Sequence, residues 1–376
     1  MNNQLTVMLG FSWAACSKYE PPVLPDVDPQ RVTGCSFTQD AYTPVSIYDC
    51  NPVFTSTEEE WMESLGSVGF YAKQVLGHPF YQLWYTSVAE GFGNYALGYA
   101  VSDDGVTWYS HPENPLLGVD PTAWDKDSMS SQVIVWDPIE AEYVMAYQGF
   151  TLGDEQSNSG IWGLGVATSI DGVSWEKSAA NPVINFSEMS TENGDAISPC
   201  WPLTISVDSR GSFRGYIAAN STADLLMGET ICNIYSIDGL NADTWVINDT
   251  APVLSGSEFY DNRGVTSASV VELNGTQYMF YIGFSDWLQN QGYQTAINTS
   301  LNIATSTDGG NTWIKDPNNP LPITMNFSQT GTASGVAAQV IGDRIHLWVT
   351  DTYDGEQAIG YFLYEPISQE AESTEE

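Results

Sequence analysis

Cations are scarce in this chain. Lysine and arginine together number 10 in 376 residues, against 47 Asp and Glu, for a formal net charge of −37 at pH 7. The acidic total is near ordinary, so the imbalance comes from missing cations and not from acidic tracts. Such a surface repels nucleic acid and anionic lipid, which argues against both as partners. It suits solubility in a salty medium, where the self-repulsion is screened. Histidine and cysteine are rarer still, at 3 and 5 residues. No cysteine pair has zinc-finger spacing and no compact loop of the EF-hand type appears, so neither a metal nor any other cofactor is called for. Long apolar runs are missing too. The run at residues 5–15 has the length of a secretory h-region and is too short to span a bilayer as a helix.

That run ends in Trp13-Ala14-Ala15-Cys16, which resembles a bacterial lipoprotein cleavage box with Cys16 as the lipidated residue. Residues 1–16 are therefore expected to be an export and anchoring segment, a plain signal peptide being the other reading. Residues 17–50, rich in Pro and polar residues, read as a tether. Within them Cys35 and Cys50 flank a short stretch, and a disulfide there suits an exported protein. Cys200 and Cys232 fall in one repeat and are read either as a further pair or as buried thiols.

What the sequence does have is aromatic residues and a period. Trp and Tyr number 13 and 20, enough to build a core. A phrase of the form Asn-Pro-apolar recurs at Asn51-Pro52, Asn114-Pro115, Asn181-Pro182, Ala251-Pro252 and Asn319-Pro320, spaced by 63 to 70 residues. Ahead of four of these runs Ser-x-Asp-Gly…Trp: Ser102 to Trp108, Ser169 to Trp175, Ser236 to Trp245 and Ser306 to Trp313. A fixed period of this length means one supersecondary unit repeated. Each unit reads as β-strands, as at 131–135, 142–147 and 162–168, with Asn181–Ile184 as a short outer strand. Four-stranded units repeated radially form a β-propeller. The last unit lacks its closing phrase, and the first phrase has no strands before it. Joining them predicts an all-β fold over 51–365, a five-bladed propeller of four-stranded antiparallel blades whose last blade is closed by the N-terminal strand. An acidic disordered tail, 366–376, follows.

In such a blade the Asp-Gly turns fall on one face, and the long connections from 149 to 161 and from 283 to 299 fall on the other. The turns are expected to be structural: Asp accepts turn N–H groups, Gly takes a positive φ, and Trp packs between blades. Function is expected at the other face, where residues preceding each inner strand converge. These are Ser67 and Tyr71 in blade one, Asp125, Lys126, Asp127 and Ser130 in blade two, and Asp195, Ser198 and Trp201 in blade three. Asp261, Arg263, Thr266 and Ser267 follow in blade four, and Thr332 and Ser334 in blade five.

The phrases beginning at Gly98, Gly165 and Asn302 resemble those of the five-bladed superfamily of glycoside hydrolase families 43, 32 and 68. That resemblance implies two or three carboxylates around a central funnel, one protonating a glycosidic oxygen while another activates water or attacks directly. It points to Asp127, Asp195 and Asp261 as catalytic, with Glu188 or Glu192 as alternative acids. Arg263, Tyr71, Ser130, Ser198, Trp201, Thr266, Ser334 and Trp287 are the expected substrate-binding residues, and the partner a glycan or oligosaccharide met by a monomer. A second expectation stays open. A surface-tethered propeller without catalysis would bind carbohydrate or protein at this face, with Trp287, Phe92 and Phe150 as stacking platforms. The phrase from Ser306 to Trp313 also fits the Asp box of sialidases, but those need an arginine triad, and only Arg263 is placed for a pocket.

Overall fold

The computed structural model describes residues 34–39, 43–56, 61–75, 78–89, 95–152, 160–186, 201–219, 230–239, 244–248, 252–285, 298–321, 323, 333–353 and 356–366. They form five antiparallel sheets and no α-helix. Blade one runs β4 (Met62–Val75), β5 (His78–Ala89), β6 (Tyr95–Ser102) and β7 (Tyr109–Ser110) from centre to rim. Blade two is β8 (Ser128–Asp137), β9 (Glu142–Thr151), β10 (Ile161–Ser169), then β11 (Glu176–Lys177) and β12 (Ile184–Asn185) side by side on one edge. Blade three follows with β13 (Trp201–Val207), β14 (Phe213–Ala219), β15 (Thr230–Ser236), β16 (Val246–Asn248) and β17 (Leu254–Ser255). Blade four has β18 (Gly264–Leu273), β19 (Thr276–Ser285), β20 (Asn298–Ser306) and β21 (Ile314–Lys315).

Blade five takes β22 (Gly335–Ile341), β23 (Arg344–Tyr353) and β24 (Glu356–Tyr364) from the C-terminal end. Its outer edge comes from the N-terminal part of the chain, β2 (Val45–Tyr48) and β3 (Phe54–Thr55), both paired to β24. The ring is thus five-bladed and sealed as expected, leaving no open edge between its ends. The described strands begin ahead of residue 51. β1 (Phe37–Gln39) adds to β2 as a further strand, and Cys35 and Cys50 are disulfide-bonded across the base of that hairpin. Residues 1–33 and 367–376, including Cys16, lie outside the described residues.

The Asn-Pro phrase does not itself form the outer strand. It sits between two short outer pieces, and its asparagine bridges the interruption. Asn181 Oδ1 accepts from Val166 N at 2.8 Å and its Nδ2 donates to Val166 O at 2.9 Å, so one side-chain amide replaces a strand residue. Asn114 on Tyr99, Asn319 on Ile303 and Asn51 on Tyr361 repeat the arrangement. The peptide bond to proline is cis in all four. These bonds satisfy edge N–H and C=O groups that a broken strand would leave unmet.

The core is divided, with one apolar cluster in each of the five junctions between blades. Asp-Gly turns lock three of these junctions. Asp171 Oδ1 accepts from Val173 N and Ser174 N, and Asp104 and Asp308 do the same in their own turns. A ring on the second strand of the preceding blade then reaches the turn carbonyl. Trp84 Nε1 donates to Gly172 O, Trp348 Nε1 to Gly105 O, and Tyr216 OH to Gly310 O. The glycines hold φ of 78° to 80°, and a Cβ at Gly172 would lie 2.9 Å from the Trp84 ring.

Candidate functional site

The antiparallel order puts the connections between second and third strands, and the connectors between blades, on one face; it is called the loop face. The inner hairpins and Asp-Gly turns occupy the opposite turn face. Along the axis the five inner strands enclose a channel of about 180 Å3. Its walls include Val68, Val135, Leu203, Val270, Val336 and Ala338, with Thr204, Ser269 and Gln339 among them, and carry no titratable group. Towards the loop face, four of the five inner strands carry a bulge at matching height: Leu65/Val68, Ser130/Val133, Pro202/Thr204 and Val265/Ala268. A bulge bends the strand and re-aims side chains, a device common beside functional sites. Here it stands between the channel and the mouth.

Asp127 stands at the head of β8 on this mouth. Its backbone N donates to Phe150 O. Its Oδ2 accepts from Lys126 Nζ at 2.8 Å and Leu152 N at 2.7 Å, and the side chain is 28% exposed. The hydrogen bond from Lys126, with that from Leu152 N, holds the carboxyl below the usual Asp range, so it is ionised at neutral pH. Ser130 lies next along β8, donating to Gln148 Oε1 at 3.1 Å. Arg263 precedes β18, its N bonded to Phe284 O, and Ser334 precedes β22, its N bonded to Thr350 O. Ser267, in the β18 bulge, accepts from Val336 N and so ties blade four to blade five. Phe150 stacks on Trp162 with ring centroids 4.4 Å apart, as part of blade packing. Tyr71 pairs with Gln82 on β5, Trp201 opens β13, and Ser67 and Thr266 lie in bulges. Asp195, Ser198, Glu188, Glu192, Trp287, Phe92 and Thr332 lie outside the described residues.

Asp261 is placed differently from the funnel position expected of it. It is 0% exposed and points to the outer part of its own blade, where Lys315 Nζ on the outermost strand lies 2.5 Å from Oδ2. Tyr281 OH donates to the same oxygen, and Ser257 N and Glu258 N donate to Oδ1. Asp125 is the counterpart in blade two, bonded to Lys177 Nζ at 2.6 Å and Tyr147 OH at 3.0 Å. Burial, then the neighbouring carboxylate, raises both phenols. Each cluster pins the connector arriving from the previous blade. Two of the chain's few lysines are used in this way, each two residues after the tryptophan that closes a Ser-x-Asp-Gly…Trp phrase, Trp175 and Trp313. Another buried carboxylate the sequence reading missed is Asp351, 1% exposed near the loop-face end of β23. Cys232 is buried among the apolar residues between blades two and three, and Cys200 lies outside the described residues.

No family model and no curated protein sequence matches the chain. Solved structures do match in fold. A GH32 β-fructofuranosidase of Bombyx mori superposes with a TM-score of 0.58 at 15% identity, over 83% of this chain and 61% of that protein. The chain thus spans less than two thirds of that enzyme's length. A thermostable family-43 glycoside hydrolase gives 0.57 at 16% identity, covering 81% of this chain and 91% of the other. A glycosyl hydrolase from Bacteroides ovatus gives 0.57 at 16% identity, covering 88% and 94%. At these identities the likeness is one of architecture, the five-bladed propeller.

Proposed function

We propose that this is an exported, carbohydrate-active propeller that cleaves a glycosidic bond at the loop-face mouth of its channel. The observation that carries the reading is Asp127: a partly exposed, ionised carboxylate fixed by Lys126 and Leu152 N at the head of an inner strand. The fold shared with several glycoside hydrolases supports it. Asp127 acts as the base or nucleophile. The general acid comes from the segment holding Glu188, Glu192 and Asp195. The acid protonates the leaving oxygen, water adds to the anomeric carbon, and one water is consumed per bond. The Cys35–Cys50 disulfide favours an oxidising compartment, in keeping with export and an anchor at Cys16.

A second reading rests on Asp125 and Asp261. Both are buried in lysine pairs, so neither is offered to a substrate, and binding without catalysis would need only the mouth. A panel of chromogenic glycosides decides between the two. Turnover that falls by two or more orders of magnitude in both Asp127→Ala and Asp195→Ala supports hydrolysis. Turnover surviving both removes the assignment. Binding of an oligosaccharide with no turnover by the wild-type protein supports the second reading.

A further inference from the structure

On the turn face, between blades three and four, lies an open cleft of about 750 Å3 that belongs to no part of the mouth. Its origin is visible by comparing junctions. Three positions fill the junction between blades one and two. Trp84 reaches the Gly172 carbonyl, Tyr143 packs on it with centroids 5.3 Å apart, and Trp136 meets Tyr143 edge-on at 4.8 Å. The equivalent residues follow from register. Tyr143 and Gln277 each pair with the serine of their own turn, Ser169 and Ser306, and on their inner sides with Trp136 and Glu272. Tyr216 replaces Trp84 as the ring that reaches the next turn. Trp, Tyr and Trp in one junction are thus Tyr, Gln and Glu in the other. All three replacements are smaller, two are polar, and the space they vacate is the cleft.

The walls are chemically specific. Gln277 narrows to an amide at the foot of the cleft, its Oε1 buried and without a hydrogen-bond partner among the described residues. Glu272 stands across the strand pair from it, and Arg214 lies opposite with Nη1 on Gly309 O at 3.1 Å. Tyr235, paired with Arg214 on the neighbouring strand, is 48% exposed and offers a flat aromatic face at the opening. The volume falls in the range of small-ligand pockets, roughly 300–1,000 Å3.

We infer that this cleft is a second ligand site that takes a neutral oligosaccharide. A sugar's hydroxyls donate to Glu272 and accept from Arg214, while an apolar ring face stacks on Tyr235. An anion is disfavoured by Glu272 and the net charge of −37, and a purely apolar ligand would leave Glu272 unmet. The inference is independent of the reading of the mouth.

The test is titration of the whole protein with maltotriose, cellotriose, xylotriose and mannotriose, followed by calorimetry and saturation-transfer NMR. At least one trisaccharide is expected to bind. Tyr235→Ala, at an exposed position, should weaken it tenfold or more. Gln277→Tyr, which restores the filling seen at Tyr143, should abolish it without lowering the melting temperature. Asp127→Ala should leave it unchanged. The inference is overturned if none of the four sugars binds, or if binding survives both cleft variants. Loss in Asp127→Ala alone would also overturn it, by placing the sugar at the mouth.

Discussion

The junction between blades one and two and the junction between blades three and four are built from one repeat, yet their weak points lie on opposite faces. The first is filled on the turn face by Trp84, Tyr143 and Trp136, while on the loop face its Asp125 keeps one oxygen, Oδ1, buried without a partner among the described residues. The second is open on the turn face but complete on the loop face, where Asp261 uses both oxygens. Sequence explains the loop-face difference. Four residues before Asp261 is Ser257, whose N–H caps the carboxylate; four before Asp125 is Pro121, which has none. Thr122 N, the next donor, is taken by Asp120. A repeat fixes the scaffold, and what varies between copies decides where it is satisfied and where it stays open.

The largest effects should come from breaking the two lysine clamps. Lys177→Met and Lys315→Met each leave a buried carboxylate without its cation, a loss of about 3–5 kcal/mol. Lys177→Met should cost more, because Asp261 keeps two backbone N–H groups and Asp125 keeps none. Urea unfolding midpoints measure both, and equal losses would remove the distinction. Next comes the ring at the turn. Trp84→Ala empties a filled junction and should cost about 3–5 kcal/mol, whereas Tyr216→Ala enlarges an existing cleft and should cost less. A larger loss at Tyr216 would mean that the cleft wall is more tightly packed than the Trp junction.

A smaller effect sharpens the loop-face contrast. Pro121→Ser supplies an N–H at the position that caps Asp261, worth about 1.5–3 kcal/mol to a charged acceptor, less about 0.4–1 kcal/mol for the lost proline constraint. A net gain in melting temperature is expected, and a net loss would show that the donor does not reach Asp125. The smallest effect is with acid. Hydrogen bonds from the Thr312 side chain and backbone, and from Ser306, hold Asp308 down at about 2, against 3.8 for a free carboxyl. The folded value is the lower one, so its contribution is present above about pH 3.8 and fades as pH falls towards 2. The urea midpoint of the wild-type protein should therefore fall more steeply over that window than that of Asp308→Asn.

Much of the fold was legible because the period is carried by residues with fixed local jobs. Gly172 must take a positive φ, Asp171 must cap its turn, and the orphan Asn51 phrase needs a partner blade. The start of blade five was not legible. The outer strand is split, so its first piece, Val45–Tyr48, precedes the phrase that marks it. Nor was the fate of Asp261. By local sequence it stands three residues before an inner strand, as Asp125 does, whereas Asp127 stands one residue before its own. What claims it is Lys315, 54 residues further on, whose reach depends on how the blade folds back. Contacts within a turn can be read along a chain, and contacts across a blade cannot.

The closure of blade five also sets an order of assembly during synthesis. Asn51 bonds to Tyr361 across 310 residues, so a strand made near the start has no partner until nearly the whole chain has emerged. An unpaired strand left waiting is an invitation to pair with another molecule. The hairpin of β1 and β2, tied by Cys35 and Cys50, gives that strand a neighbour on one side from the outset. What reads in the finished molecule as a clasp is, in the growing chain, a guard on the first edge to appear.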